Sequence, residues 1–216
     1  MCGRYYVDEI VEKEIRQLVQ VLGAKGQSND QEFAAELLAG YQVPFQKVPD
    51  ARDVHPSEWA DIICLNQGKV QIRTMRWGFP GKNAGLIINA RAETVLERPL
   101  FRESACCRRC VVPAGRYYEW NSLKEKVTFA RKETPVLYMA GLYNLYQEEE
   151  RFVVITTEAN KSVQAVHDRM PLIFERHEVE SWLRDEAAAQ RLLQKVPGAL
   201  QRTQEYEQMS LWSMVN

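Results

Sequence analysis

Apolar residues recur at Ile10, Val11, Ile15, Leu18, Val19 and Leu22 with charged residues between them, and this spacing predicts an amphipathic helix over Asp8–Leu22 ended by Gly23. A second, shorter helix is expected over Gln31–Leu38, followed by a proline-punctuated loop or short strand from Tyr41 to Pro56. The pattern then changes. Ile62–Leu65, Val70–Trp77, Leu86–Asn89, Cys110–Val112, Tyr117–Trp120, Val127–Ala130, Val136–Tyr143 and Phe152–Thr157 are rich in β-branched and aromatic residues. Gly, Pro, Asn or charged clusters separate them, so they read as strands. Helical periodicity returns after Ala165, most clearly over Val179–Leu193. No internal repeat or low-complexity tract is present. Strands enclosed by terminal helices predict a single α+β domain over residues 1–216, its mostly antiparallel sheet strongly curved into a barrel-like form and flanked by helices.

Composition narrows the class. The chain of 216 residues is 45% hydrophobic, enough for a sizeable core, yet no stretch approaches the roughly 20 apolar residues of a membrane span, so a cytoplasmic protein is expected. Five cysteines, an odd number, offer no disulfide framework and fit a reducing compartment. The net charge of −1 by itself argues against a polyanionic partner. Its distribution argues the other way: residues 73–116 carry nine Lys/Arg against three Asp/Glu, between acidic flanks. Arg supplies eight of the nine, and a planar guanidinium suits phosphate recognition, although a solvated basic surface would look the same.

The most informative residue is Cys2, within the opening Met-Cys-Gly-Arg. Removal of Met1 would expose a 1,2-aminothiol whose amine and thiol have ordinary pKa values of about 8 and 8.5. Such a pair attacks an aldehyde to give an imine and then a thiazolidine, or an amide carbonyl to give a thioester. Four other segments place polar residues in apolar surroundings: Asn89–Thr94, Arg109–Trp120, Thr156–Asn160 and Val166–Pro171. Together they supply a carboxylate, an imidazole, an amide and guanidiniums, an inventory for acid–base chemistry on a phosphate-bearing substrate. Taken singly, Glu119 also reads as a solvated strand-end carboxylate and His167-Asp168 as a surface pair. His55 and His177 are assigned to structure or solvent, and Trp182 and Trp212 to packing. Cys106, Cys107 and Cys110 lack a second ligand pair at metal spacing, so no metal and no cofactor is expected.

With those segments in this order, the chain resembles the SRAP family, the SOS response-associated peptidases that crosslink to abasic sites in single-stranded DNA. The resemblance covers most of the chain and is strongest from Trp77 to Pro171. It implies that Cys2 forms a thiazolidine with the ring-opened sugar aldehyde, that Asn89 holds the cysteine backbone and the sugar, that Glu119 is acid and base in ring opening and in reversal, and that His167 moves protons at the aldehyde oxygen. It further implies that Arg4, Arg91, Arg102 and Arg169 grip flanking phosphates, that Trp77 and Trp120 stack on bases, that Thr156 bonds a phosphate and that Gly3 allows close backbone approach. A monomer associated with the nucleoid after DNA damage is the expected state. The chain departs from the family pattern at Tyr41–Pro44, a poor match to Asn-x-x-Pro-Thr, and at Gly81-Lys82-Asn83, which replaces a second tryptophan. Two other readings stay open: a thiol amidohydrolase or peptidase with an N-terminal nucleophile, and a non-covalent single-strand binding module.

Overall fold

The computed structural model describes residues 2–24 and 51–204. The first part holds β1 (Tyr5–Val7) and α1 (Glu9–Ala24). Next come β2 (Arg52–Val54), β3 (Trp59–Asn66), β4 (Lys69–Trp77), β5 (Phe79–Pro80), β6 (Leu86–Ile87), β7 (Asn89–Arg91) and α2 (Pro99–Cys107). The remainder comprises β8 (Arg109–Ala114), β9 (Arg116–Trp120), β10 (Lys126–Ala130), β11 (Leu137–Tyr146), β12 (Glu149–Glu158), β13 (Arg169–Pro171), β14 (Ile173–Phe174), α3 (Val179–Arg184), α4 (Glu186–Leu192) and β15 (Gln201–Gln204).

The α+β class and the curved sheet expected from the sequence are both present. Strand β12 pairs with β4, β4 with β3, β3 with β8, β8 with β11, and β11 again with β12, closing a five-stranded ring. All of these pairings are antiparallel except β12–β4. A second sheet runs β15-β10-β9-β1-β2 and is antiparallel throughout. Alternate residues of the ring strands enter two apolar clusters. Ile63, Val111, Ala140 and Val153 join the helical residues Val11, Leu18, Phe101 and Trp182. Ile62, Val112, Met139 and Val154 join Cys2, Tyr5, Tyr117 and Phe129 of the second sheet and its approach. Full burial on both faces explains why β8, β11 and β12 read as nearly continuous apolar runs, whereas β4 keeps polar residues such as Gln71 and Arg73 between its apolar ones. Gly141 is fixed by packing: a Cβ there would lie 2.9 Å from Cys110 Sγ and 3.0 Å from the Val153 carbonyl.

Several boundaries differ from the sequence expectation. Helix α1 is capped by Asp8, whose Oδ1 accepts from the Val11 N–H at 3.0 Å, and it passes through Gly23, a residue that weakens a helix without forbidding it. The helix expected over Val179–Leu193 is two helices, because Asp185 adopts an extended conformation and caps α4 through Ala188 N–H. The expected strand Leu86–Asn89 is split into β6 and β7. The expected helix Gln31–Leu38, the Tyr41–Pro44 stretch and Trp212 lie outside the described residues. Gly81-Lys82-Asn83 leads into a short 3-10 turn whose Asn83 and Ala84 have φ of 53° and 59°.

Candidate functional site

Cys2 sits at the inner edge of the second sheet, wholly buried in the cluster that contains Tyr5, Trp77 and Tyr117. Its Sγ lies 3.9 Å from the Arg4 carbonyl. Its own carbonyl accepts a hydrogen bond from Asn89 Nδ2 at 3.1 Å. Asn89 opens β7, which lies parallel to β12 with Asn89 opposite Val154. Just before it, the Ile88 carbonyl accepts from Trp77 Nε1 at 3.0 Å, so the buried indole fixes the chain that delivers Asn89.

Strand alternation delivers Glu119. On β9, Tyr117 and Glu119 point toward the core, whereas Arg116 and Trp120 point away. Glu119 is 3% exposed, and burial raises its carboxyl above the usual range, opposed by the positive charge at the chain's amino end and by His167. Burial also pushes the Cys2 thiol well up, with the charge of Glu119 adding to it. The carboxyl therefore lies within electrostatic reach of both the thiol and the imidazole, although the three come from distant stretches of sequence.

His167 is half-buried, and its Nδ1 accepts the Arg169 N–H at 2.9 Å. The Arg169 contact suits an Nδ1 without hydrogen. Asp168 Oδ1 stands 2.8 Å from the same Nδ1, ready to pair with the charged ring.

Three expected DNA contacts are buried instead of presented to a strand. Trp77 is fully buried against Tyr5 and Phe152, so its faces are closed to nucleobases. Thr156 is also fully buried, with its hydroxyl directed at the Ala90 carbonyl 3.4 Å away. Arg169, 8% exposed, is held by Glu93 through a bidentate pair at 2.9 and 2.8 Å and by the Thr156 carbonyl at 2.7 Å. Its guanidinium is an internal clamp rather than an exposed phosphate grip. The sequence reading named the Asn89–Thr94 segment but missed Glu93 as the partner of Arg169.

The other expected phosphate contacts are distributed unevenly. Arg91 and Arg102 are exposed, as is Arg98, which the sequence reading did not single out. Arg4 lies over the Trp120 ring at 5.1 Å and 3.8 Å from Asp53 Oδ2. Trp120 is 38% exposed, and Gly3 is half-buried between Cys2 and Arg4. Much of the basic excess of residues 73–116 is internally paired: Arg73 with Glu150, Arg76 with Glu149, Arg108 with Glu103, and Arg109 with backbone carbonyls. Asn160 serves structure, bonding the Pro197 and Gly198 carbonyls. Cys106 and Cys107 are exposed, Cys110 is buried, and among the described residues no group of three or more His, Cys, Asp or Glu side chains is placed to hold a metal. No helix among the described residues is long and apolar enough to cross a membrane.

The whole chain, residues 1–216, matches the family model described as SOS response associated peptidase. The chain belongs to the SRAP family. Its SRAP relatives include two from Bacillus subtilis, both named abasic site processing proteins. YoaM is 30% identical over 159 residues, covering 67% of this chain and 70% of the relative, and YoqW is 32% identical over 146 residues, covering 61% and 65%. Abasic site processing protein YedK of Escherichia coli is 25% identical over 177 residues, covering 76% of this chain and 80% of its own. The SRAP fold extends to solved structures. A phage-related protein from Bordetella bronchiseptica superposes with a TM-score of 0.70 at 20% identity, over 95% of each chain. A protein from Bacteroides thetaiotaomicron does so with a TM-score of 0.65 at 23% identity, over 95% of this chain and 93% of that one.

Proposed function

We propose that this SRAP protein processes abasic sites in single-stranded DNA by capturing the lesion covalently through Cys2 after Met1 is removed. The amine of Cys2 attacks C1 of the open-chain sugar, and loss of one water gives an imine. The thiol then adds to the same carbon while its proton moves to the imine nitrogen, closing a thiazolidine. No electrons are gained or lost overall, so the step needs neither oxidant nor metal.

The environment of the thiol sets the order. Burial keeps Cys2 protonated at neutral pH, which leaves the amine as the first nucleophile and the thiol as the second. An abasic sugar is mostly a closed hemiacetal, and opening it requires proton transfer. Glu119, with its raised affinity for a proton, donates to the ring oxygen and takes the proton back on reversal. His167 serves the aldehyde oxygen. Asn89 fixes the Cys2 carbonyl and so the direction of the new amine. The only peptide bond this reading requires to break is Met1–Cys2. On this reading the protein works as a monomer in the cytoplasm, moving to the nucleoid when DNA is damaged and shielding the lesion.

What supports the reading above all is the Asn89 bond to the Cys2 carbonyl together with the buried Glu119 carboxyl, which acts electrostatically on Cys2 and feels His167. Intact mass spectrometry of the protein mixed with abasic single-stranded DNA tests it. The expected product has the summed mass less one water and less Met1; recovery of only the unmodified chain contradicts it.

A further inference from the structure

The face of the second sheet turned away from Cys2 carries its own pattern. Opposite the core-facing Tyr5, Tyr117 and Glu119, the cross-strand register brings together Tyr6 with Asp53 and Arg116, Trp120 with Lys126, and Tyr118 with Thr128. Cations lie on the rings: the Arg116 guanidinium is 3.6 Å from the Tyr6 centroid, Lys126 Nζ is 4.2 Å from that of Tyr118, and Arg4 is 5.1 Å from that of Trp120. Tyr118 is pinned from both sides, accepting from Arg116 Nε at 3.0 Å and donating to Asp53 at 2.9 Å.

This arrangement holds the cations extended while leaving their donors available. Among the described residues, both terminal nitrogens of Arg116 and the Lys126 ammonium make no hydrogen bond or ion pair. A flattened guanidinium with two free NH2 groups is pre-organised for a phosphate, because little rotamer entropy remains to be lost. The acidic groups facing the patch are Asp53, engaged by Tyr118 and Arg4, and Glu125, engaged by Asn121 and Gln204. Arg116, Tyr118 and Trp120 follow one another along β9 at steps of about 6.6 Å, on the face opposite Glu119, and the line ends at Trp120, where Arg4 connects through Gly3 to Cys2.

We infer that this outer face is a track for single-stranded DNA flanking the lesion, with Arg116 and Lys126 as its phosphate contacts and Trp120 at the boundary with the reactive site. The inference rests on the reading of single-stranded DNA as substrate and extends the contact surface beyond the reactive pocket. Tyr118 is buried beneath Lys126 and Arg116, and the half-exposed cations, with Trp120 exposed at the end of β9, offer the phosphate contacts that hold a single strand without reading its sequence.

The test uses undamaged oligonucleotides, so it stands apart from covalent capture. Binding is measured by fluorescence anisotropy at several salt concentrations for the native protein, Arg116→Gln, Lys126→Gln and the double variant. On a long strand the double variant should lose roughly tenfold in affinity and about 1.4 in salt slope, near 0.7 for each phosphate contact. On a strand short enough to fill only the reactive site it should match the native protein. Arg116→Lys, which keeps a charge, should recover part of the loss, and thermal melting confirms that each variant is folded. Photocrosslinking with a halogenated pyrimidine should modify peptides containing Tyr6 or Trp120. An unchanged salt slope in the folded double variant, or photoadducts confined to α2, overturns the inference. A native protein that binds long strands in this way yet forms no adduct with abasic DNA would instead sink the capture reading alone.

Discussion

Asn89 donates a hydrogen bond from Nδ2 to the carbonyl of Cys2 at 3.1 Å, across a sequence separation of 87 residues. That bond ties the amino end of the chain to β7, whose other end leads into Glu93. Glu93 in turn holds Arg169, and the Arg169 N–H orients His167. The nucleophile and the imidazole are thus connected through two strands and one ion pair. Asn89→Ala should therefore slow adduct formation by about 10²-fold through misdirection of the nucleophile, while binding to undamaged single strands changes little. Equal losses in both measurements would place Asn89 in general folding instead.

Glu119 carries a proton-dependent signature in stability as well as in rate. Its folded-state affinity for a proton is raised, so its contribution to stability is fully present below the ordinary carboxylate range and declines as pH rises through the raised value. Glu119→Gln mimics the neutral form. It should melt at a higher temperature than the native protein at neutral pH, with the difference vanishing at acid pH. The same variant should slow crosslinking by roughly 10²–10⁴-fold, the range for loss of a general acid. A lower melting temperature at neutral pH would contradict this assignment.

The Glu93–Arg169 pair has the opposite dependence. Glu93 sits below its usual carboxylate value: burial works against the shift, and the hydrogen bonds from Arg169 outweigh it. The stabilisation is therefore present above the ordinary carboxylate range and lost as pH falls through the lowered value. Glu93→Gln should cost about 2 kcal/mol in denaturant unfolding at neutral pH, less than a fully buried pair because Glu93 remains 41% exposed. Little change at neutral pH would argue against the clamp.

Trp77→Ala should destabilise by about 3–5 kcal/mol, as expected for a buried aromatic. Trp77→Phe, which keeps most of the apolar volume but loses the Nε1 bond to Ile88, should destabilise less and still shift adduct formation by displacing Asn89. Unchanged stability in Trp77→Ala would return the indole to the DNA surface.

Much of this was legible in the chain. Ring strands such as β12 announced themselves because burial on both faces leaves uninterrupted apolar runs such as Phe152–Ile155. Cys2, Asn89, Glu119 and His167 stood out as polar residues within apolar segments. What stayed hidden was partnership. Arg169 and Arg91 look alike in sequence, yet one is clamped by Glu93 and the other is exposed, and only the tertiary register of β12 with β7 and β13 decides which. Trp77 and Trp120 likewise both end strands, but strand alternation and the surrounding packing bury the first and leave the second at the surface. The short strands β13, β14 and β15 carry too few residues for a period to show.

The most direct test compares native protein with Cys2→Ser and Cys2→Ala on an abasic oligonucleotide, resolved on a denaturing gel. The account predicts a stable shifted band for the native protein and none for Cys2→Ala. It predicts at most a labile imine or oxazolidine for Cys2→Ser, with binding to the strand retained in both variants. An undiminished, stable band from Cys2→Ala would contradict it.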